Sequence, residues 1–100
     1  MRAVLFNTPG PPDVLHVGEA DIPSVGENEV LIKVSATAIN RADTLQRKGL
    51  YTPPQGASSI LGLEAAGEVV SVGGGVTQWK VGGGWSIYLC LTVCPRLVTV

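Results

Sequence analysis

From Val30 to Ala38 apolar and polar residues alternate. Val30, Ile32, Val34, Ala36 and Ala38 fall on one face; Leu31, Lys33, Ser35 and Thr37 fall on the other. A period of two belongs to a half-buried strand and predicts one over 29–40. A second apolar run predicts a strand over 63–72, where Gly67 interrupts the pattern and marks a bulge or a close backbone approach. Shorter runs predict strands at 2–6 and, more weakly, at 14–20. Turn signals rich in Pro and Gly separate these runs, at 8–13, 22–28, 51–58, 73–75 and 82–84. One segment breaks the period of two. Arg41 to Lys48 predicts a helix, with Asn40 as N-cap, Asp43 favoured near the positive end of the helix dipole, and Gly49 as the stop. Short strands at close spacing with one or two short helices predict a mainly β, mostly antiparallel fold, a barrel or a curled sheet.

Composition narrows the class. One hundred residues, 45% hydrophobic and 15% charged, suit one small folded domain. The net charge is −1 and the seven Lys and Arg are scattered, so the electrostatic footprint of a nucleic-acid binder is missing. No apolar stretch approaches the roughly 18 residues of a membrane helix, and the opening MRAVLFNTPG lacks the apolar core of a secretory signal. The two cysteines, Cys90 and Cys94, are too few for a secreted disulfide scaffold. These features predict a cytoplasmic protein with no nucleic-acid or membrane partner.

Candidate chemistry is sparse. The glycine runs at 73–75 and 82–84 do not fit G-x-G-x-x-G, because Gln78 and Ile87 stand where the third glycine is needed. No amphipathic helix follows either, so both read as tight turns between strands. His16 is the sole histidine, in a strand-like alternation that predicts a surface or edge position, and Cys90 and Cys94 lack the C-x-x-C spacing of a zinc knuckle. No metal site is expected. That leaves INRADTLQRKGLY, residues 39–51. Asn40 and Asp43 are accounted for as a helix cap, and Tyr51 as a half-buried aromatic before a proline turn. They can also line a site.

Read as a unit, NRADTLQRKGLYTPPQGASSILGLEAAGEVVSVG resembles the quinone oxidoreductase branch of the medium-chain dehydrogenase/reductase superfamily, nearest to the stress- and apoptosis-linked NADPH:quinone oxidoreductases of animals. The opening MRAVLF…PGPP, the strand GENEVLIKVSATAIN and the later WKVG fit the same pattern, so the likeness covers about residues 1–82. It implies a GroES-like, partly open β-barrel that supplies one wall of an active site. The zinc-dependent alcohol dehydrogenases of the superfamily carry Cys-x-x-Asp and Gly-His-Glu; here those motifs read Asn40-Arg41-Ala42-Asp43 and Gly62-Leu63-Glu64. An amide and an isobutyl group cannot replace a thiolate and an imidazole on zinc. The structural-zinc cysteine loop is missing too, so the chain looks like the zinc-free branch.

The resemblance further implies that Asn40, Asp43 and Tyr51 face the nicotinamide and substrate. Asn40 and Tyr51 take the catalytic roles, donating to a substrate or cofactor group and supplying a proton, while Asp43 orients Asn40. NADPH is the implied cofactor, a quinone or enone the implied substrate, and a homodimer the implied assembly of the full-length family. The Rossmann domain that grips NADPH comes later in that family and is absent here, so this polypeptide alone is expected neither to bind NADPH nor to turn over substrate. Two alternatives stand beside this reading: an enoyl-thioester reductase portion, and a truncated, non-enzymatic isoform acting by binding. Composition also shifts along the chain. Fourteen of the 15 charged residues lie in 1–80, and GGGWSIYLCLTVCPRLVTV departs from the family pattern until its closing LVTV. The expected organisation is a GroES-like half over 1–82 and a divergent segment over 83–100, whose alternation from Trp85 to Val93 predicts one strand.

Overall fold

The computed structural model describes residues 1–82 throughout and the backbone of 85–89 and 97–99. Six strands and one α-helix follow in order: β1 (Arg2–Leu5), β2 (His16–Glu19), β3 (Val30–Thr37), α1 (Arg41–Arg47), β4 (Glu64–Val72), β5 (Trp85–Leu89) and β6 (Leu97–Thr99). β1 and β2 pair antiparallel as a two-stranded sheet, with Val4 opposite Val17. The second strand begins later than its apolar run suggests, because Pro12–Val14 coil into a 3₁₀ turn after Pro11. The other four strands form a sheet in the order β5-β4-β3-β6. All its neighbours are antiparallel except β6, which lies parallel to β3 and so departs from the antiparallel expectation. Among the described residues the two sheets remain separate and no closed barrel forms.

The β3–β4 pair builds the core. Val30, Ile32 and Val69 are buried, and Val72, Val76 and Trp79 pack against them. Burying Ile32 or Val69 contributes about 1.5–3 kcal/mol each. Gly67 sits where the strands approach most closely: a Cβ there would strike the Lys33 carbonyl oxygen and come within 2.9 Å of Ile32 Cγ2. Both features anticipated at this glycine are present, since the register also slips beside it. Val34 faces Gly67 and Ala36 faces Ala66, leaving Ser35 unopposed. Exposure departs from the simple alternation past this point, where 35–39 are all exposed. Val30 and Ile32 are buried and Val34 half-buried, but beyond the bulge Ala36 and Ala38 are exposed.

The first glycine run is a turn, as its spacing predicts. Gly73 N–H donates to the Glu29 carbonyl (2.8 Å) and Gly75 N–H to the Glu27 carbonyl (2.9 Å). His16 is exposed on β2. Cys90, Cys94, Gly83 and Gly84 lie outside the described residues, as do the side chains of the 85–93 alternation, although the backbone of β5 pairs along β4.

Candidate functional site

β3 ends where Asn40 turns the chain into α1. Asn40 is the N-cap, in extended backbone geometry (φ −107°, ψ 159°). Its N–H donates to Asp43 Oδ2 at 2.8 Å, and Asp43 N–H donates to the Asn40 carbonyl at 3.1 Å. The Asn40 side chain closes a capping box with the Asp43 N–H, and its Nδ2 also donates to Glu64 Oε2 at 3.2 Å. Glu64 opens β4, and its own carbonyl accepts from Thr37 Oγ1 at 2.6 Å. Two residues leaving β3, Thr37 and Asn40, are thus both fastened to Glu64.

The other end of α1 closes on glycine. Gly49 has φ +77°, its N–H donates to the Gln46 carbonyl (3.0 Å), and Leu50 N–H donates to the Leu45 carbonyl (2.8 Å). This is the Schellman arrangement, which needs a left-handed residue and therefore favours glycine. Between its ends the helix turns a polar stripe inward. Asp43, Gln46 and Arg47, one turn apart, are its buried residues. Arg47 Nη1 donates to the Gly10 carbonyl (2.8 Å), and Gly10 N–H returns a bond to the Arg47 carbonyl (2.9 Å). Gln46 Nε2 donates to the Ser59 carbonyl (3.2 Å). Asp43 Oδ1 is buried with no hydrogen-bond partner among the described residues.

The helix therefore ties three segments together: the loop at Gly10, the β3–β4 junction, and the loop that carries Tyr51. Asn40 and Asp43 are brought into direct contact. Tyr51 is half-buried on the chain leaving Gly49, and no hydrogen bond joins it to either of them. Ile39 and Leu50, flanking the helix, are strongly exposed apolar side chains (86% and 73%). Sequence reasoning missed the parts played by Glu64, Gln46 and Arg47. Glu64 carried one usable signal, its place in Gly62-Leu63-Glu64; Gln46 and Arg47 carried none.

Two cofactor fits can be judged from these contacts. Among the described residues no three His, Cys, Asp or Glu gather as metal ligands. The turn at 73–75 spends the N–H groups of Gly73 and Gly75 on backbone carbonyls, and a Cβ on Gly73 or Gly75 would meet the Gly26 and Glu27 carbonyl oxygens and Asn28 Oδ1. A surface of acceptors does not suit a phosphate, which needs donors. The remaining N–H of the Asn40 amide does suit a carbonyl oxygen, whether of a carboxamide or of a ketone.

The fold is GroES-like, and the chain belongs to the alcohol dehydrogenase GroES-like domain family, which matches residues 26–96. Its relatives include quinone oxidoreductases. Quinone oxidoreductase 1 of Escherichia coli (strain K12) is 44% identical over 77 residues, covering 77% of this chain and 23% of the relative. The quinone oxidoreductase of Pseudomonas aeruginosa is 41% identical over 81 residues, covering 81% of this chain and 25% of the relative. Among solved structures, Escherichia coli quinone oxidoreductase complexed with NADPH matches with a TM-score of 0.79 at 39% identity, over 90% of this chain and 27% of that one. A mutant form of enoyl thioester reductase from Candida tropicalis matches with a TM-score of 0.58 at 31% identity, over 86% of this chain and 27% of that one. The GroES-like fold expected from the motifs is the fold observed, and the chain spans about a quarter of the length of these relatives.

Proposed function

We propose that this chain is the N-terminal, substrate-facing part of a cytoplasmic, NADPH-dependent quinone oxidoreductase that works without zinc. The observation that carries the reading is the Asn40 amide, held by Glu64 and Asp43 at the motif position where zinc-dependent members place a cysteine. The quinone oxidoreductase relatives and the NADPH complex of one of them support it. Bound NADPH supplies the hydride. Conversion of a quinone to a hydroquinone then needs one proton besides that hydride, and a donor where negative charge develops on oxygen. Asn40 Nδ2 donates to that oxygen or to the carboxamide of the cofactor, Tyr51 delivers the proton from its phenol, and Asp43 holds Asn40 at the head of α1. The phosphates of the dinucleotide find no donor cradle at the 73–75 turn. Their binding is assigned to the part of the relatives that this chain does not span, so residues 1–82 act as one half of a catalytic unit, with 83–100 as a divergent end.

The test is a graft. Residues 1–82 replace the matching segment of Escherichia coli quinone oxidoreductase, and NADPH oxidation by 1,4-benzoquinone is followed before and after exhaustive dialysis against a chelator. Quinone-dependent turnover that survives chelation supports the reading; turnover that is lost and returns only with zinc overturns it. A second reading, an enoyl-thioester reductase, is favoured by the likeness to the Candida tropicalis enzyme. The same graft decides between them when offered an enoyl thioester in place of the quinone.

A further inference from the structure

A primary amide can turn either of two similar edges to its surroundings, and its neighbours decide which. Asn40 has a neighbour that permits one choice. The Glu64 carboxylate is acceptor-only when ionised, so the atom facing it must be Nδ2, as its 3.2 Å contact with Oε2 shows. Glu64 is itself fixed. Its carbonyl takes the Thr37 hydroxyl (2.6 Å), and its backbone lies in register with Leu89 at the start of β4. The Asn40 backbone is held independently through Asp43 Oδ2. One carboxylate therefore sets where the residue stands, and a second sets how its amide is turned.

We infer that Glu64 is a positioning residue, which locks the Asn40 amide so that Oδ1 stays at the helix cap and the remaining N–H of Nδ2 is the donor offered to a ligand. This deepens the proposed function and rests on it only for what the amide then meets. A lone N–H matches a carbonyl oxygen, whether of a carboxamide or of a ketone. A carboxylate ligand is a poorer match, because it would meet the charge of ionised Glu64. The ligand class read from the amide is a neutral carboxamide or carbonyl.

The orientation can be tested on the chain itself, without turnover, by nitrogen-15 NMR of the Asn40 side-chain amide, assigned through the loss of its signals in Asn40→Asp. In the wild type the proton directed at Glu64 is expected downfield and protected from solvent exchange. Glu64→Ala abolishes both effects, while the Asn40 backbone N–H, bonded to Asp43, keeps its position. Glu64→Gln, which retains an acceptor oxygen without the charge, restores the displacement in part and also serves if Glu64→Ala fails to fold. Asn40 side-chain signals that ignore both Glu64 substitutions in a chain with an intact melt overturn the inference, as does a Glu64→Gln chain that folds without any displacement. Because no cofactor takes part, a locked amide beside an inactive graft condemns the proposed activity alone.

Discussion

Single side chains in this molecule are constrained most tightly where backbones nearly touch. Gly67→Ala places a methyl group against the Lys33 carbonyl and Ile32, and overpacking of this kind costs about 1–3 kcal/mol. Gly74→Ala meets nothing within 4 Å and is expected to leave the melt unchanged, which makes the pair an internal control in thermal unfolding. At the candidate site the decisive residue is Tyr51. If its phenol delivers the proton, Tyr51→Phe in the grafted enzyme lowers kcat by about 10²–10⁴-fold, the usual worth of a general acid, with little change in KM. An unchanged kcat removes Tyr51 from the mechanism and leaves it as packing beside the proline turn.

Among the elements, α1 answers to its bonds more than to its apolar contacts. Arg47→Ala removes the donor to the half-buried Gly10 carbonyl and is expected to destabilise the fold by about 0.5–1.5 kcal/mol, measured by urea unfolding. Gly49→Ala forces a side chain into the left-handed region, for about 1–2 kcal/mol, with its Cβ 3.0 Å from Pro9 Cβ. Much of this element was legible beforehand. Asn40, Asp43 and Gly49 announce the two ends of a helix by local chemistry, and the helix runs between them as expected. β3 and β4 were legible because alternation is also local. What escaped was long-range. The slip at Ser35 depends on how β4 pairs, and the parallel partnership of β3 with β6 has no signature in either strand. Glu64 escaped for the same reason, since its bond to Asn40 spans 24 residues.

For the whole molecule, one sheet carries the buried core and the site lies at its margin. The described residues offer a donor at Asn40, and the 73–75 turn presents acceptors rather than the donors that a pyrophosphate needs. Calorimetry of the purified chain with NADPH is therefore expected to show no binding at micromolar concentrations, beside a cooperative circular-dichroism melt. Micromolar affinity would mean that a phosphate site exists outside the contacts described, and would make the glycine runs the first positions to mutate. The chain spans about a quarter of its quinone oxidoreductase relatives, so no binding by the chain alone and turnover by the graft are the two results expected together.

The inward polar stripe of α1 has a kinetic corollary. Gln46 and Arg47 seat the helix through hydrogen bonds to Ser59 and Gly10, and its apolar Ala42 and Leu45 are only half-buried, unlike Ile32 between the strands. Such a patch can lift away from the sheet, exchange its bonds for water and settle again while Val30, Ile32 and Val69 stay packed. Amide hydrogen exchange should accordingly sort the chain into two tiers, with α1 and the Gly10 and Ser59 loops releasing their protons together and earlier than the centre of β3 and β4. The wall of the site would then breathe as one unit on a scaffold that does not.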